Sequence, residues 1–584
     1  MEICRRVIVS VIFMVTAFGS FFCFLCRNFA TLGDMRGIYQ KIIERLQNPS
    51  VKMGALVLGV SSLLSRVVGV MRDRVLSSTF GAGRELDAYF AAFRVPDMMY
   101  NLVVIGAVTA GFIPAFTALL HKKGQDTSVQ YREAYALASR LLTFFCLVLG
   151  VLGVVGFFGA SWFVPLFVHG FRPEDQATTV MLTRVMMLSP IFLGVSAVFG
   201  GVLKGMRHFL AFSLAPIFYN VGIIFGTVVL VPQMGVVGVA WGVVIGAMVH
   251  ALIQGVACVM AGYRQKLSLS FRDVHFRTVL AATGPRIAGV AVTQFNAVVL
   301  TGMASVIGSG ALTAFTFANN LQSLPVGVLG VSFAVSAFPH LAASVARGDH
   351  KEVVEEFSRT VRMIIFTAIP AAVCFIMLRA QIVRVVFGAG KFSWADTIAT
   401  ADTLAYFAVG MFAVALFPLL TRVYFAYRDV VTPLVIGICT VVLERVIAWR
   451  LIERGMGAPG LALAVSIASI MQCAVMWVFL RKKMGALHEL HLMKSLFVMT
   501  ISAFAAAFVM QAVKYFVGDM VNMQMFVGVA VQGGLAGVFG IVTYIGVAYM
   551  CGNDEAKEIV AMFSQKVMPT AASGIVQEGE KIEV

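Results

Sequence analysis

Long, uninterrupted apolar segments constrain this chain more than any other feature. Stretches of about 20 or more mostly apolar residues recur from Lys52 almost to the end of the 584-residue chain. A helix of that length crosses about 30 Å of hydrocarbon, and continuous rather than alternating apolar character predicts helices instead of barrel strands. The sequence therefore predicts an all-α polytopic membrane protein.

We predict about fourteen core transmembrane helices. They lie near residues 53–70, 88–119, 134–158, 177–202, 210–231, 235–261, 279–306, 311–341, 361–387, 397–420, 430–449, 457–480, 495–517 and 525–551. The first fifty residues contain a further apolar stretch at 7–25. It is either an extra anchor or part of a misassigned start, with Met35 as an alternative first residue.

The formal net charge of the chain is +16, and its positive residues lie mainly in the short loops between the apolar segments. Loops after the even-numbered helices carry about 19 Lys and Arg residues, whereas the alternate loops carry about 8. This asymmetry indicates membrane topology rather than a nucleic-acid partner. It places both ends of the core in the cytoplasm.

An internal duplication organises the core. Ala107–Pro114 recurs in a shorter form as Ala334–Pro339, and Met234-Gly235-x-x-Gly238 recurs as Met456-Gly457-x-x-Gly460. The copies lie about 220 to 230 residues apart, with six helices between them. Because six is even, both halves enter the membrane in the same direction, as in parallel-repeat transporters that bind substrate between the halves.

The duplication predicts a division of the chain. The predicted parts are an extension at 1–50, a first six-helix lobe at 51–276, a second six-helix lobe at 277–484, two extra helices at 485–552, and a polar, flexible cytoplasmic tail at 553–584.

Charged residues inside the first two helices suggest the substrate. A charge at membrane depth costs about 2.5 to 3.5 kcal/mol on insertion scales, so it needs a partner, a wet cavity or a function. Arg66 and Asp73 share a helix face, follow Ser65 in the same segment, and are predicted to face a cavity between the halves. Arginine suits phosphate, so a cationic cavity indicates an anionic substrate. For Arg72 and Asp73 the alternative is a solvated helix end.

Other features give weaker predictions. Arg286, in the seventh helix, is either a cavity residue or a side chain that extends to the membrane interface. The nine cysteines lie scattered through apolar stretches and are predicted to be small core residues. We find no metal-spaced His and Cys cluster and no glycine-rich nucleotide loop, which favours a transporter without metal or cofactor over an enzyme.

Several motifs resemble one family of transporters. The motifs are Ser65-Arg66-x-x-Gly69-x-x-Arg72-Asp73, Phe80-Gly81-Ala82-Gly83-x-x-x-Asp87-Ala88-Tyr89, Gly284-Pro285, Leu321-Gln322-x-x-Pro325, and Tyr424-x-Ala426-x-x-Asp429. Together they resemble the MurJ (MviN) lipid II flippases of the MOP exporter superfamily, over about residues 53–551.

The resemblance implies a two-lobed, fourteen-helix flippase. It would move an undecaprenyl-pyrophosphate-linked peptidoglycan precursor from the cytoplasmic to the outer leaflet by alternating access, among membrane lipids and beside the cell-wall synthesis machinery. The last two helices would hold the lipid tail, and membrane potential or an ion gradient would drive transport. Arg66, Arg72, Asp73 and Asp87 match the family's cavity residues, and Ser65 precedes them.

The chain also departs from the family. Tyr100, Asn101 and Ile105 stand where charged residues are common, and Asn320 stands where an arginine is common, preceded by Asn319. We expect Asn319 and Asn320 to bond the sugar or phosphate instead. The alternative functions are another MOP exporter, for polysaccharide-linked lipids or drugs, and, from a different class, a membrane scaffold.

Overall fold

The computed structural model describes residues 51–105, 108–122, 126–266, 268, 270 and 272–567 of the chain. The predictions for residues 1–50 lie outside these described residues. In the described part every regular element is a helix, and the chain divides into two units. The first unit holds residues up to Thr79 and from Arg84 to Val298, and the second holds Phe80–Gly83 and all residues from Val299.

The first unit contains α1 to α10 and the beginning of α11. Their bounds are α1 Val51–Phe80, α2 Arg84–Ala92, α3 Arg94–Tyr100, α4 Ile113–Leu120, α5 Thr127–Phe167, α6 Pro173–Met186, α7 Ser189–Gly205, α8 Phe209–Phe225, α9 Val231–Met234, α10 Val237–Met260 and α11 Val274–Ile307.

The second unit contains the end of α11 and ten further helices. Their bounds are α12 Ala311–Pro325, α13 Val331–Arg347, α14 His350–Met377, α15 Arg379–Phe387, α16 Trp394–Ala426, α17 Val431–Glu453, α18 Gly457–Met484, α19 Glu489–Gly518, α20 Phe526–Met550 and α21 Asp554–Val567.

Twelve helices of the described chain are long and apolar enough to cross a membrane. They match the third to fourteenth predicted spans, and this confirms an all-α membrane protein. The first two predicted spans correspond to α1 and to the broken segment from Arg84 to Leu120, and neither is among the twelve. Of the fourteen predicted spans, twelve are therefore confirmed.

The second span is a broken helix rather than the continuous one predicted at 88–119. It bends between α2 and α3 at Phe93, and π-helical turns follow at Asn101–Ile105 and Val108–Phe112. Another π-helical turn, Val326–Gly330, follows Pro325 in the second unit. Prolines and π turns weaken regular helix hydrogen bonding, and apolar composition alone does not reveal them.

The first unit packs through small residues and aromatic rings. Helices α8 and α10 approach closely, and a Cβ built on Gly222 would lie 2.3 Å from the Cα of Gly246. Close approach through glycine is typical of membrane helices, where dispersion contacts replace the hydrophobic effect. Beside them, α4, α5 and α7 enclose buried rings that include Phe112, Phe116 and Phe145.

The second unit has its own core. Helix α16 packs against α12, α14 and α18, and the buried residues Phe357, Leu419 and Tyr424 belong to one cluster. The turn Phe80–Gly83 also belongs to this unit, because the Ala82 amide donates to Asp396 Oδ2 at 3.3 Å.

The ninth span begins eleven residues earlier than predicted. The sequence predicted one span at 361–387, but α14 begins at His350 and ends at Met377, and α15 is a separate helix. Asp349 caps the start of α14 by accepting from the Glu352 amide at 3.0 Å. Charged residues in the first turns hid this start, since they resemble a loop in hydropathy.

The chain remains folded beyond the last span. The sequence predicted a flexible end, but Asp554–Val567 forms the helix α21. Its first turn is buried at Glu555 and Ala556, and Asn553 Oδ1 accepts from the Ala556 amide at 3.0 Å. The predicted flexibility is therefore wrong for these fourteen residues.

Candidate functional site

Helix α1 presents four of the predicted site residues. Ser65 and Arg66 are half-buried, as is Arg72, whereas Asp73 is buried. On a helix, Arg66 and Asp73 are separated by seven residues and so point in nearly the same direction. These polar residues therefore lie close together, from the middle of α1 onward.

Arg72 and Asp73 form an ion pair with each other. The Nε and Nη2 groups of Arg72 both donate to Asp73 Oδ1, at 2.9 and 2.7 Å. Adjacent helical residues do not normally face each other, so the arginine side chain must fold back along the helix. The Asp73 side chain is 5% exposed and that of Arg72 is 23% exposed. A charge-assisted pair of this kind compensates the burial of both groups.

A second helix completes the contact. Nη1 of Arg72 donates to the side-chain oxygen of Asn220 on α8 at 2.9 Å. The Asn220 amide nitrogen donates to the Pro216 carbonyl at 3.1 Å. Because its nitrogen is engaged there, Asn220 is oriented to present its oxygen to the guanidinium.

The contacts leave Arg72 with unused donors. A guanidinium has five N–H groups, and three of those on Arg72 are engaged. Within the described residues, one N–H on Nη1 and one on Nη2 donate to no acceptor. A fixed arginine with two available donors is suited to an oxyanion such as phosphate.

Sequence reasoning missed several neighbours of Arg72. Tyr89 and Tyr219 interact electrostatically with it, and Asp97 interacts with both Arg72 and Arg94. Asn220 was missed because its partner lies 148 residues away. A lone amide within the apolar span 210–231 is the signal that would have indicated it.

The remaining predicted residues lie elsewhere. Asp87 is buried in the first turn of α2 in the first unit, where the helix dipole favours a carboxylate. Asn319 is exposed and Asn320 half-buried on α12, in the second unit. Arg286 belongs to α11, and its side chain lies outside the described part of the structure.

Other residues of the quoted motifs have structural roles. Gln322 is buried and donates to the Phe407 carbonyl at 3.2 Å, which joins α12 to α16. Asp429 accepts from the Thr432 amide at 3.0 Å and from Lys483, and so fixes the start of α17. Partial burial raises the pKa of Asp429, but hydrogen bonds from Lys483 and Thr432 outweigh it and lower that pKa to about 2.

In the part of the chain that the structure describes, no group of three or more His, Cys, Asp or Glu residues could hold a metal ion.

Comparison with known families identifies the family of the chain. The family described as lipid II flippase MurJ matches residues 76–531. The chain belongs to this family. Among curated relatives, the lipid II flippase MurJ of Burkholderia cenocepacia is 27% identical over 430 residues, which cover 72% of this chain and 82% of the relative. The probable lipid II flippase MurJ of Treponema pallidum is 28% identical over 438 residues, covering 74% and 82%.

Solved structures agree on the fold of this MurJ family member. A lipid II flippase MurJ in an inward closed conformation has a TM-score of 0.70 at 21% identity and covers 85% of this chain and 99% of its own. An inward-facing multidrug resistance MATE family transporter of the MOP superfamily has a TM-score of 0.61 at 15% identity, covering 75% and 99%. The chain is a multi-pass membrane protein with the fold of these transporters.

Proposed function

We propose that the chain is a flippase that carries the lipid-linked peptidoglycan precursor lipid II across the bacterial inner membrane, by alternating access. The observation that carries the proposal is the match of residues 76–531 to the lipid II flippase MurJ family. The likeness to MATE transporters concerns the fold only, so the family match favours this function over drug export.

Arg72 supplies the chemistry that the cargo needs. Lipid II carries a pyrophosphate, and the two available N–H groups of Arg72 are suited to one of its oxygens. Asp73 and Asn220 hold the guanidinium before the cargo arrives, so less conformational entropy is lost on binding. Arg66, half-buried on the same helix, adds a second positive charge.

The negative charge of the cargo also favours outward transport. In the proposed topology both ends of the core face the cytoplasm. Moving one negative charge outward across an inside-negative membrane releases about 2.3 kcal/mol per 100 mV. We propose that the membrane potential, or an ion gradient, drives the cycle.

The C-terminal pair of helices, α19 and α20, supports a lipid-linked cargo. Phe497, Phe504 and Phe508 lie largely exposed on α19, and Val538 and Val542 on α20. These apolar surfaces suit contact with hydrocarbon. We propose that the C-terminal pair accommodates the undecaprenyl tail, and that Asn319, Asn320, Asp87 and Arg286 contribute to the cavity, with membrane lipids and the cell-wall synthesis machinery as partners.

A reconstituted assay tests the proposal. Purified protein in liposomes with fluorescent lipid II is expected to move it between leaflets, with Arg66→Ala inactive and Arg172→Ala, an exposed loop residue of the first unit, fully active. In cells, Arg66→Ala is expected to lose complementation of a flippase-depleted strain at normal membrane levels. Drug resistance on overexpression without lipid II movement would contradict the proposal.

A further inference from the structure

A buried ion pair joins the end of the chain to the second unit. Nε of Arg362, on α14, donates to Oε1 of Glu555, on α21, at 2.6 Å. Ser495, on α19, donates to the other carboxylate oxygen at 2.7 Å. Asn553 donates to the same serine at 3.0 Å. Three helices that are far apart in sequence therefore meet at one carboxylate.

This contact is almost closed to solvent. The Arg362 side chain is 12% exposed and that of Glu555 is 5% exposed. Nη1 of Arg362 donates to Ser358 at 2.8 Å, which fixes the guanidinium on its own helix. A second pair on the same two helices, Arg359 with Glu558, is more exposed, at 59% and 30% of the two side chains. Exposed pairs contribute little, so of these two ion pairs the one at Glu555 is the more important contact.

The opposite end of the C-terminal pair is attached differently. Lys514, near the end of α19, donates to the Met377 carbonyl at 2.9 Å, at the last turn of α14. Gln381 on α15 donates to Gln532 on α20 at 3.0 Å, and Gln532 donates to the Lys514 carbonyl at 2.7 Å. These bonds join the membrane helices directly, without α21.

The two ends therefore depend on different parts of the chain. At one end the attachment includes a short helix that follows α20 after Gly552, which has a φ of +78°. Such a residue lets the chain change direction sharply. At the other end the attachment lies within α14, α15, α19 and α20 themselves.

We propose that α21 is a latch. While Glu555 is bound to Arg362 and Ser495, the C-terminal pair is held against α14 at both ends. When that contact opens, the pair separates from α14 at the α21 end and pivots about Lys514 and Gln532. The latch controls the spacing between α14 and the C-terminal pair whatever the cargo is, so it does not rest on the proposed function.

Hydrogen exchange of the full-length protein in nanodiscs tests the latch. Glu555→Gln is expected to increase amide exchange about tenfold or more in 554–560 and at the start of α19, with exchange near Lys514 and Gln532 unchanged. Glu558→Gln, on the exposed pair, serves as the matched control and is expected to change neither region. Unchanged exchange in Glu555→Gln, or an equal increase at both ends, would overturn the latch.

A second variant keeps the test valid if Glu555→Gln does not fold. The double replacement Arg362→Leu with Glu555→Leu removes both charges and retains apolar contact between α14 and α21. Exchange in 554–560 is expected to remain at or below the wild-type rate, because an apolar pair often replaces a buried ion pair without loss. An increase of about tenfold in 554–560 without any increase at the start of α19 would overturn the proposal, because α21 would then open without releasing the C-terminal pair.

Discussion

Two arginine–carboxylate pairs, one in each unit, differ in how far the arginine is exposed. In the first unit, Arg72 binds Asp73 and Asn220 but keeps two N–H groups available and is 23% exposed. In the second unit, Arg362 is 12% exposed, and both oxygens of its partner Glu555 accept hydrogen bonds.

The difference separates two uses of charge in a membrane protein. A pair whose carboxylate is saturated and whose arginine is covered holds helices together and has little capacity for a ligand. A pair that fixes an arginine and leaves donors open is prepared for an anion. Neither burial of charge nor unused donors alone indicate a binding site, because Arg362 also keeps N–H groups that donate to no acceptor within the described residues. A fixed arginine indicates one when its unused donors are also exposed to a ligand.

The largest expected effect on stability concerns the pair of Arg362 and Glu555. Arg362→Leu leaves Glu555 buried without its cation, which is expected to cost about 3 to 5 kcal/mol of stability. Thermal unfolding in detergent is expected to show a fall of several degrees. The double variant with Glu555→Leu is expected to recover most of this loss, and a double variant no more stable than the single one would show that the pair is not the cause.

At the pair of Arg72 and Asp73, a substitution is expected to change stability less and to reduce transport instead. Arg72→Lys keeps a positive charge beside Asp73 but loses the planar donor fork, so lipid II translocation is expected to fall about tenfold to a hundredfold. The thermal unfolding temperature is expected to change little. Wild-type translocation by this variant would remove the distinction between the two pairs.

The positioning bond is expected to contribute less. Asn220→Ala removes one hydrogen bond to a charged group, so half-maximal translocation is expected to need about tenfold more lipid II, with a nearly unchanged maximal rate. Gln254→Ala is the matched control, because Gln254 is a buried amide of the same unit whose oxygen has no partner within the described residues. An equal effect in both variants would indicate a general packing defect.

The smallest effect is expected at a surface contact that resembles neither pair. Asp429→Asn is expected to lower stability by about 1 kcal/mol or less. The folded pKa of Asp429 is lowered to about 2 by Lys483 and Thr432, so its stabilisation is present above the ordinary carboxyl pKa and is lost as the pH falls towards 2. Unfolding from pH 6 to pH 2 is expected to show the two proteins converge, and a constant difference would contradict this assignment.

Apolar runs predicted twelve of the spans because membrane insertion depends mainly on length and hydropathy. Pro96 and Pro114 indicate an interrupted second span, but apolar composition locates neither the bend at Phe93 nor the π turns after Tyr100. The start of α14 at His350 was missed because its first turns are charged, and α21 was missed because its composition is polar.

The site was only partly predictable for a related reason. Arg66, Arg72 and Asp73 are conspicuous in an apolar segment, so the sequence indicates them directly. The partners are not conspicuous, because Asn220 meets Arg72 across 148 residues and Arg362 meets Glu555 across 193 residues. Such distant contacts decide whether a ligand can reach a buried arginine, and only the fold defines them.

The most direct test is a cryo-electron microscopy structure of the protein in nanodiscs with lipid II bound. The account predicts a phosphate oxygen within hydrogen-bonding distance of Nη1 or Nη2 of Arg72, with the bonds to Asp73 and Asn220 retained. A bound pyrophosphate elsewhere, with those two N–H groups donating to the protein instead, would contradict it.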